Sequence, residues 1–297
     1  MPMDKDDRRH YNRIRFVLVA VLGLNWAVAA AKMIIGAMTR CESMMADGLH
    51  SLSDGASNII GLVGIALSAR PVDEDHPYGH KKYETFFSLG IAVLLIMVSF
   101  NLIRQSVERF SHPIPPEVNF VSFIVMIVTI AVNIGVTKYE YARGKHLKSD
   151  MLVADSMHTK ADILTSIAVI VALIGIKAGY PIVDPIATFI ISLFIAYAAF
   201  EIVRYASRIL CDTAVIIDVR KISGIVMKVD GVRACHKIRT RGRPDDICID
   251  MHVQVDAGMP IKEAHKICYD IEDTLKNKIP EVRDVLVHIE PRGRPRD

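Results

Sequence analysis

The chain has 297 residues, 51% of them hydrophobic and only 7% aromatic, and its formal net charge is +3. That apolar content exceeds what a soluble domain of this size needs for its core, so the composition favours an integral membrane protein in a lipid bilayer. So small a net charge gives little support to a nucleic-acid-binding protein, and we expect no nucleic acid partner.

Six apolar segments are long enough to cross a bilayer as helices, which takes roughly 20 residues each. The predicted spans are 14–38, 42–67, 83–103, 118–139, 151–178 and 184–205. The first segment follows an Arg-rich start and contains Ala27-Val28-Ala29, as a cleaved signal peptide would. Because its apolar run continues to Ile35, we expect an uncleaved span.

Basic residues are concentrated on one side of the predicted spans. They precede span one and lie between spans two and three and spans four and five: Lys5, Arg8, Arg9, Arg13, Arg15, Arg70, Lys81, Lys82, Lys138, Arg143, Lys145 and Lys148. The opposite side carries Arg40, Arg104, Arg109 and Lys177. By the positive-inside rule both termini are cytoplasmic, and with no organellar targeting segment evident we expect a bacterial inner membrane.

The second and fifth spans carry the same polar pattern. It reads ADGLHSLSD from Ala46 to Asp54 and ADSMHTKAD from Ala154 to Asp162. Ionisable groups inside a bilayer are costly, so a repeated set predicts a functional site. Positions i, i+3 and i+7 share one face of a helix, so the acidic and imidazole groups of each copy project together.

These two faces predict a metal cage between the second and fifth spans. Its four ligands are His50, Asp54, His158 and Asp162, and Asp47 and Asp155 either join them or orient them. Imidazole and carboxylate ligands suit zinc and also accept iron(II), cobalt, cadmium or manganese. The alternative, that these groups only form interhelical hydrogen bonds, explains one copy of the pattern better than two.

After Tyr205 the sequence changes to that of a small soluble α+β domain. The predicted elements are helix 219–229, strand 232–240, turn 241–245, strand 247–255, helix 260–278, with Pro260 in its first turn, and strand 285–289. This order predicts a ferredoxin-like αββαβ module whose exposed strand face pairs with a second copy. The five cysteines form no Cys-x-x-Cys pair, so we predict neither a disulfide framework nor a zinc ribbon.

The predicted fold is thus an all-α six-helix transmembrane domain followed by this cytoplasmic module. The divisions are a cytoplasmic tail at 1–13, a transport domain at 14–210, a metal-binding and dimerisation domain at 211–291 and a tail at 292–297.

Over essentially its whole length the chain resembles the cation diffusion facilitators, a family of six-span divalent metal/proton antiporters. The resemblance rests on the two His-x-x-x-Asp motifs, on the loop from Asp73 to Glu84 and on the histidines of the C-terminal module. It implies a homodimer in which each protomer carries a transport site between the second and fifth spans and the cytoplasmic domains join and bind metal.

The resemblance also implies two further metal sites and a charge interlock at the dimer interface. Asp73, His76 and His80 match the loop site of the family. The alternative is that they belong to a solvated polar loop. The cytoplasmic site matches His236, His252, His265, His288 and Glu290, the last standing where related chains commonly have Asp. A binuclear zinc centre, a single looser site and surface histidines without metal all stay open there. The interlock matches Lys82 and Asp212.

The expected function is efflux of a divalent transition metal in exchange for protons, without an organic cofactor. Family members that prefer manganese tend to lack the two transport-site histidines, so this chain favours zinc, then iron(II), with cobalt or cadmium as surrogates. One alternative is a metal-binding sensor or scaffold that does not transport. A membrane metalloenzyme is less favoured, since no His-Glu-x-x-His motif is present and four protein ligands would close the metal site.

Overall fold

The structure is a computed structural model and describes residues 5–39, 42–111, 120–178, 180, 182–214 and 217–293. It divides into two compact units, Met1–Ala206 and Ser207–Asp297, and each is described by itself.

Six long helices make up the described part of the first unit, and the last of them ends four residues beyond Ala206. They are α1 (Lys5–Thr39), α2 (Glu42–Ser68), α3 (Lys82–Ser111), α4 (Phe120–His146), α5 (Asp150–Lys177) and α6 (Val183–Leu210). Each apolar segment predicted from the sequence is helical over its described residues, except that α5 ends one residue early, at Lys177; residues 118 and 119 of the fourth segment lie outside the described part of the chain. The largest difference is at the start, where α1 includes most of the predicted tail, because Tyr11 is buried together with Ile14 in the core of the unit.

Four segments within the described residues are long and apolar enough to cross a membrane. They are Arg8–Ile35, Lys82–Phe110, Phe123–His146 and Pro185–Leu210. Within the same residues, α2 contributes a shorter apolar stretch, Gly55–Ser68. The structure therefore supports a helical membrane protein, and the full count of six spans stays a prediction.

The helices α1 and α2 form an antiparallel hairpin in close contact. Gly55 makes that approach possible, since a Cβ atom added there would lie only 2.6 Å from Nε1 of Trp26. Further along, Leu18 packs against Gly61, and Nδ2 of Asn25 donates to Oδ1 of Asn58 at 3.3 Å. The hairpin is thus in a fixed register.

The starts of α3 and α5 are joined by hydrogen bonds, and α3 caps α5. The Glu84 carboxylate of α3 accepts hydrogen bonds from Oγ of Ser149 and from the backbone N–H of Met151, the latter at 3.3 Å. In return, Oγ1 of Thr85 donates to Oδ2 of Asp150 at 2.5 Å. A carboxylate is favourable at a helix N-terminus, where backbone N–H groups lack partners. The first turn of α3 is therefore tied to the first turn of α5.

The second unit is a small α+β domain with a three-stranded sheet in the order β1-β2-β3. Its elements are α7 (Val219–Val226), β1 (Ala234–Arg243), β2 (Asp246–Val255), α8 (Ile261–Lys278) and β3 (Val282–Pro291), which is the predicted order. Strand β2 pairs antiparallel with β1 and parallel with β3. Alternate β2 residues from Ile247 to Val255 are buried in one core with α7 and α8, as their alternation predicts.

Two local predictions in this unit are corrected. The β1–β2 turn takes only residues 244 and 245, because Gly242 has a φ of 107° and lets β1 continue to Arg243 beside the backbone of Asp246. Pro260 is the N-cap of α8, with φ −60° and ψ 143°, and not part of its first turn. An extended ψ is ordinary for a residue just outside a helix.

Candidate metal centres

The α5 copy of the repeated pattern is directed into the first unit. His158 is 6% exposed, and neither of its ring nitrogens has a hydrogen-bond partner among the described residues. Buried polar groups are almost always hydrogen-bonded, so a buried imidazole whose two ring nitrogens make no hydrogen bond to the described residues is unusual. Asp162, one helical turn further along, is half-buried. A buried imidazole with both nitrogens unused is suited to bind a metal ion.

The α2 copy lies on a continuous helix. Asp47, His50 and Asp54 all fall within Glu42–Ser68, but their side chains lie outside the described part of the structure. Helices α2 and α5 contact each other. The four-ligand cage across them therefore stays a prediction.

Asp155 is fully buried in a polar network that joins four helices. Its carboxylate accepts a hydrogen bond from Nδ2 of Asn58 on α2 and is also hydrogen-bonded to Ser57 and Glu140. Oγ1 of Thr159 lies 3.3 Å from Oε2 of Glu140 on α4 and from the backbone oxygen of Asp155. Because Asn58 also bonds to α1, the network links α1, α2, α4 and α5. Asp155 thus contacts neighbouring helices in the way a positioning residue would.

Sequence reasoning missed Asn58, Glu140 and Thr159 as members of this network. Two signals were available. Asn58 stands one helical turn after Asp54, on the same face as the motif, and Glu140 is the only acidic residue in α4. A single acid in an apolar helix is expected to face a partner.

The loop between α2 and α3 brings Asp73, His76 and His80 together. Oδ1 of Asp73 lies 3.0 Å from Nδ1 of His76, and Oδ2 lies 3.4 Å from Nε2 of His80. The two imidazole rings are 4.2 Å apart between centroids. One ligand atom from each residue lies within 4.8 Å of the others, a spacing that could hold a metal ion.

The shape of the loop comes from local hydrogen bonds. Oδ1 of Asp73 accepts the backbone N–H of His76 at 2.7 Å, and Gly79, with φ 78°, turns the chain towards α3. Partial burial raises the pKa of Asp73, but its hydrogen bonds from His76 and the nearby His80 outweigh that effect, and the pKa lies below the ordinary value. The ionised form of the carboxylate, which is the form that binds a cation, is therefore favoured, and the metal site at this loop stays a prediction.

In the second unit three histidines form a row across the outer face of the sheet. His236 on β1 pairs with His252 on β2, and His252 pairs with His288 on β3. Adjacent rings are 5.5 and 4.7 Å apart between centroids. A β-bulge follows His236, where Lys237 has a φ of 51°. Bulges often redirect a side chain beside a functional site.

Glu290 lies within reach of all three rings. Its carboxylate is 2.7 Å from Nδ1 of His252, 3.2 Å from Nε2 of His236 and 3.9 Å from Nε2 of His288. His236, His252 and Glu290 also meet the spacing for a shared metal ion. We call His236, His252, His288 and Glu290 the sheet-face cluster. The hydrogen bond with His252 lowers the pKa of Glu290, and the other two histidines add to the effect.

His265 is not part of this cluster within one chain. It is exposed on α8, the layer that packs against the opposite face of the sheet, and its ring stacks on Tyr269 at 4.8 Å. Lys82 begins α3 in the first unit, and Asp212 belongs to the second unit and has a φ of 53°. Both residues engage in interactions in the structure.

Replacing Glu290 by glutamine will weaken the sheet-face cluster at neutral pH but not in acid. A carboxyl group whose folded pKa is depressed stabilises the fold above its unfolded pKa, about 4.3 for Glu, and that stabilisation is lost as the pH falls through the folded value. We therefore expect faster amide exchange in β2 of metal-free Glu290→Gln at pH 7, relative to wild type.

In acid, once the pH has fallen through the lowered pKa of Glu290 and its carboxylate is protonated too, the two proteins should exchange alike. Glu263→Gln, an exposed acid in the first turn of α8, is the matched control and should exchange like wild type at both pH values. Equal exchange of Glu290→Gln and wild type at pH 7 would show that the carboxylate contributes nothing to the cluster.

Comparisons with known proteins cover both units. Residues 18–211 match the family described as cation efflux transmembrane domain, and residues 217–292 match the cytoplasmic domain of cation efflux proteins. The chain is 33% identical to an uncharacterized transporter of Methanocaldococcus jannaschii, over 92% of this chain and 96% of that protein. It is 28% identical to the manganese efflux system protein MneP of Bacillus subtilis, over 93% and 96%. A solved structure of MamM-CTD 215-293 is 30% identical, covers 25% of this chain and 92% of that one, and has a TM-score of 0.24.

Proposed function

This chain belongs to the cation diffusion facilitator family, whose members are metal cation efflux transporters in membranes, and from that premise we propose that it exports zinc in exchange for protons. Iron(II) is the second candidate cargo, and cobalt or cadmium can serve as surrogates. Because the family consists of transporters, the chain is not an enzyme, and the metalloenzyme alternative is set aside.

The observation that supports this proposal most is the state of His158. Its ring is buried with both nitrogens unused among the described residues, one helical turn from Asp162. The same His-x-x-x-Asp spacing on α2 supplies His50 and Asp54. Two imidazoles and two carboxylates form a tetrahedral nitrogen and oxygen shell that suits zinc.

The choice between zinc and manganese follows from the ligand chemistry. Manganese prefers oxygen ligands, whereas imidazole favours zinc and iron. The Bacillus subtilis relative is a manganese efflux protein by name, so manganese is the competing cargo that the test must include.

Exchange for protons follows from competition at the ligands. A metal ion binds neutral imidazole and ionised carboxylate, so protons and metal compete for the same groups. In the proposed cycle, metal from the cytoplasm binds His50, Asp54, His158 and Asp162, and the helices then open the site to the other side. Protons taken up by His50 or His158 release the metal.

The remaining parts of the proposal concern assembly and regulation. We expect six spans with both termini in the cytoplasm of a bacterial inner membrane, and a homodimer held by the second unit and by Lys82 and Asp212. The division into domains 14–210 and 211–291 is part of this proposal. Metal at the loop cluster and the sheet-face cluster would favour the transporting state by binding it more tightly.

The test is metal uptake by proteoliposomes with an acidic lumen. Zinc should enter faster than in protein-free vesicles, the lumen should become more alkaline as zinc enters, and a protonophore should abolish the effect. Uptake of iron(II) and manganese, measured in parallel vesicles, shows which metal the protein transports fastest. Zinc binding without gradient-driven uptake would instead support the alternative of a metal sensor.

A further inference from the structure

A lysine is buried inside the first helix, where the proposed transport cycle gives it no role. Lys32 is only 5% exposed. It continues the inward-facing stripe of α1, which includes Leu18, Val21 and Ala29. An ammonium group in the apolar part of a membrane protein is costly and is normally retained for a function. Lys32 also takes part in an interaction in the structure.

The register of the α1–α2 hairpin shows which part of α2 lies beside Lys32 along the helix axis. Trp26 contacts Gly55, and Leu18 contacts Gly61, so the two helices run in opposite directions with a fixed offset. Lys32 follows Trp26 by six residues, about 9 Å along the helix. The same distance back from Gly55 reaches the segment that carries Asp47 and His50. Lys32 therefore lies at the level of the α2 half of the proposed transport site.

The charges at this level need a partner when no metal is bound. The proposed ligands include two carboxylates, Asp54 and Asp162, and the pattern adds a second acid on α2, Asp47. Carboxylates brought together in a low-dielectric interior repel one another strongly. A buried ammonium offsets that charge in the empty site, and it repels a divalent cation once the ion arrives.

We propose that Lys32 is the resident counter-cation of the transmembrane site, a positioning residue that stabilises the empty site and limits the affinity for metal. The inference rests on the proposed transport function. Its consequence is that Lys32 sets how readily the ion leaves: a cage without this charge would hold its cargo too tightly to turn over. A transporter needs binding that is weak enough for release.

The test compares full-length variants in which Asp73 and His252 are replaced by alanine, so that the loop and sheet-face clusters are disabled. Zinc affinity is measured by competition with a fluorescent chelator, and turnover is measured by proteoliposome uptake. Lys32→Met should bind zinc at least about tenfold more tightly and turn over at least about tenfold more slowly. Lys32→Arg keeps the charge and should stay close to the parent in both measurements.

Lys160→Met is the matched control, because it removes the same charge from an exposed position on α5. It should change neither quantity by more than about twofold. Lys32→Gln keeps a polar head group and provides a second uncharged variant, which should follow Lys32→Met.

Unchanged or weaker zinc binding in both uncharged variants overturns the proposal. Failure of both variants to fold while Lys32→Arg folds also overturns it. Either result would give Lys32 a structural role alone. Asp162→Ala in the same background separates this failure from a failure of the proposed function. If Asp162→Ala leaves zinc binding intact, the transport site itself is misplaced, whatever the Lys32 variants do.

Discussion

Replacing Asp162 by alanine will abolish zinc uptake and lower zinc affinity at the transmembrane site by at least about a hundredfold. Loss of a group that merely orients a ligand typically costs 10–100-fold in metal affinity, and loss of a ligand itself should cost at least as much. Asp162→Asn should fail almost as completely, because a neutral amide does not supply the negative charge that the bound dication needs. Gradient-driven uptake and chelator competition measure the two effects.

Thr165→Ala is the matched control for Asp162. Its hydroxyl donates within α5, to the backbone oxygen of Ala161 at 2.9 Å, so its removal should leave binding and uptake near the wild-type values. If Asp162→Ala transported zinc at more than about a tenth of the wild-type rate, the ion would have to follow another route.

Replacing Asp155 by alanine will destabilise the first unit by about 2 kcal/mol, since it leaves Nδ2 of Asn58 without its buried acceptor. The carboxylate that joins Asn58 of α2 to Glu140 of α4, one turn from His158, would be lost. We therefore also expect uptake to fall by about tenfold or more. Asp155→Asn should be milder, because its amide oxygen can still accept from Asn58.

Trp26 gives a direct measure of this effect. It is the only tryptophan, and it packs against α2 at Gly55. The thermal midpoint followed by its fluorescence should fall in Asp155→Ala and fall less in Asp155→Asn. Ser156→Ala is the control, because the Ser156 hydroxyl donates within α5 to the backbone oxygen of Val153. Equal midpoints for Asp155→Ala and Ser156→Ala would remove Asp155 from the helix-linking network.

The helices could be predicted from sequence because long apolar runs leave few other structures open to the chain in a bilayer. The starts of α3 and α5 agree with the prediction to within one residue, but the start of α1 does not, because packing decides it. Tyr11 lies in the core of the first unit and extends α1 outward. The short β1–β2 turn was missed for a similar reason: Gly242 adopts a positive φ that the sequence permits but does not require.

The candidate sites also differ in how far the sequence predicts them. The loop cluster and the sheet-face cluster are local, since a tight loop and a strand register bring their residues together. The network around Asp155 depends on which faces of four helices meet, and spacing within one helix does not reveal that. The sequence marks Asn58, Glu140 and Lys32 only as polar residues in apolar helices, and their burial shows that they face the interior of the unit.

The capping of α5 by α3 gives the loop cluster a route to the transport helix. His80 is buried and ends the loop, and Glu84 stands four residues further on, hydrogen-bonded to the first turn of α5. A metal ion at the loop cluster would restrain the same segment. That connection supports the proposed regulatory role of the loop.

Zinc X-ray absorption spectroscopy tests the central claim most directly. It would be applied to the full-length protein with Asp73, His76, His252 and Glu290 replaced by alanine, which leaves the transmembrane site to bind zinc. We predict one zinc ion per chain with four nitrogen and oxygen ligands at roughly 2.0–2.2 Å, lost on the further change Asp162→Ala. A sulfur ligand at roughly 2.3 Å, or zinc binding that survives Asp162→Ala, would contradict a cargo ion held between α2 and α5.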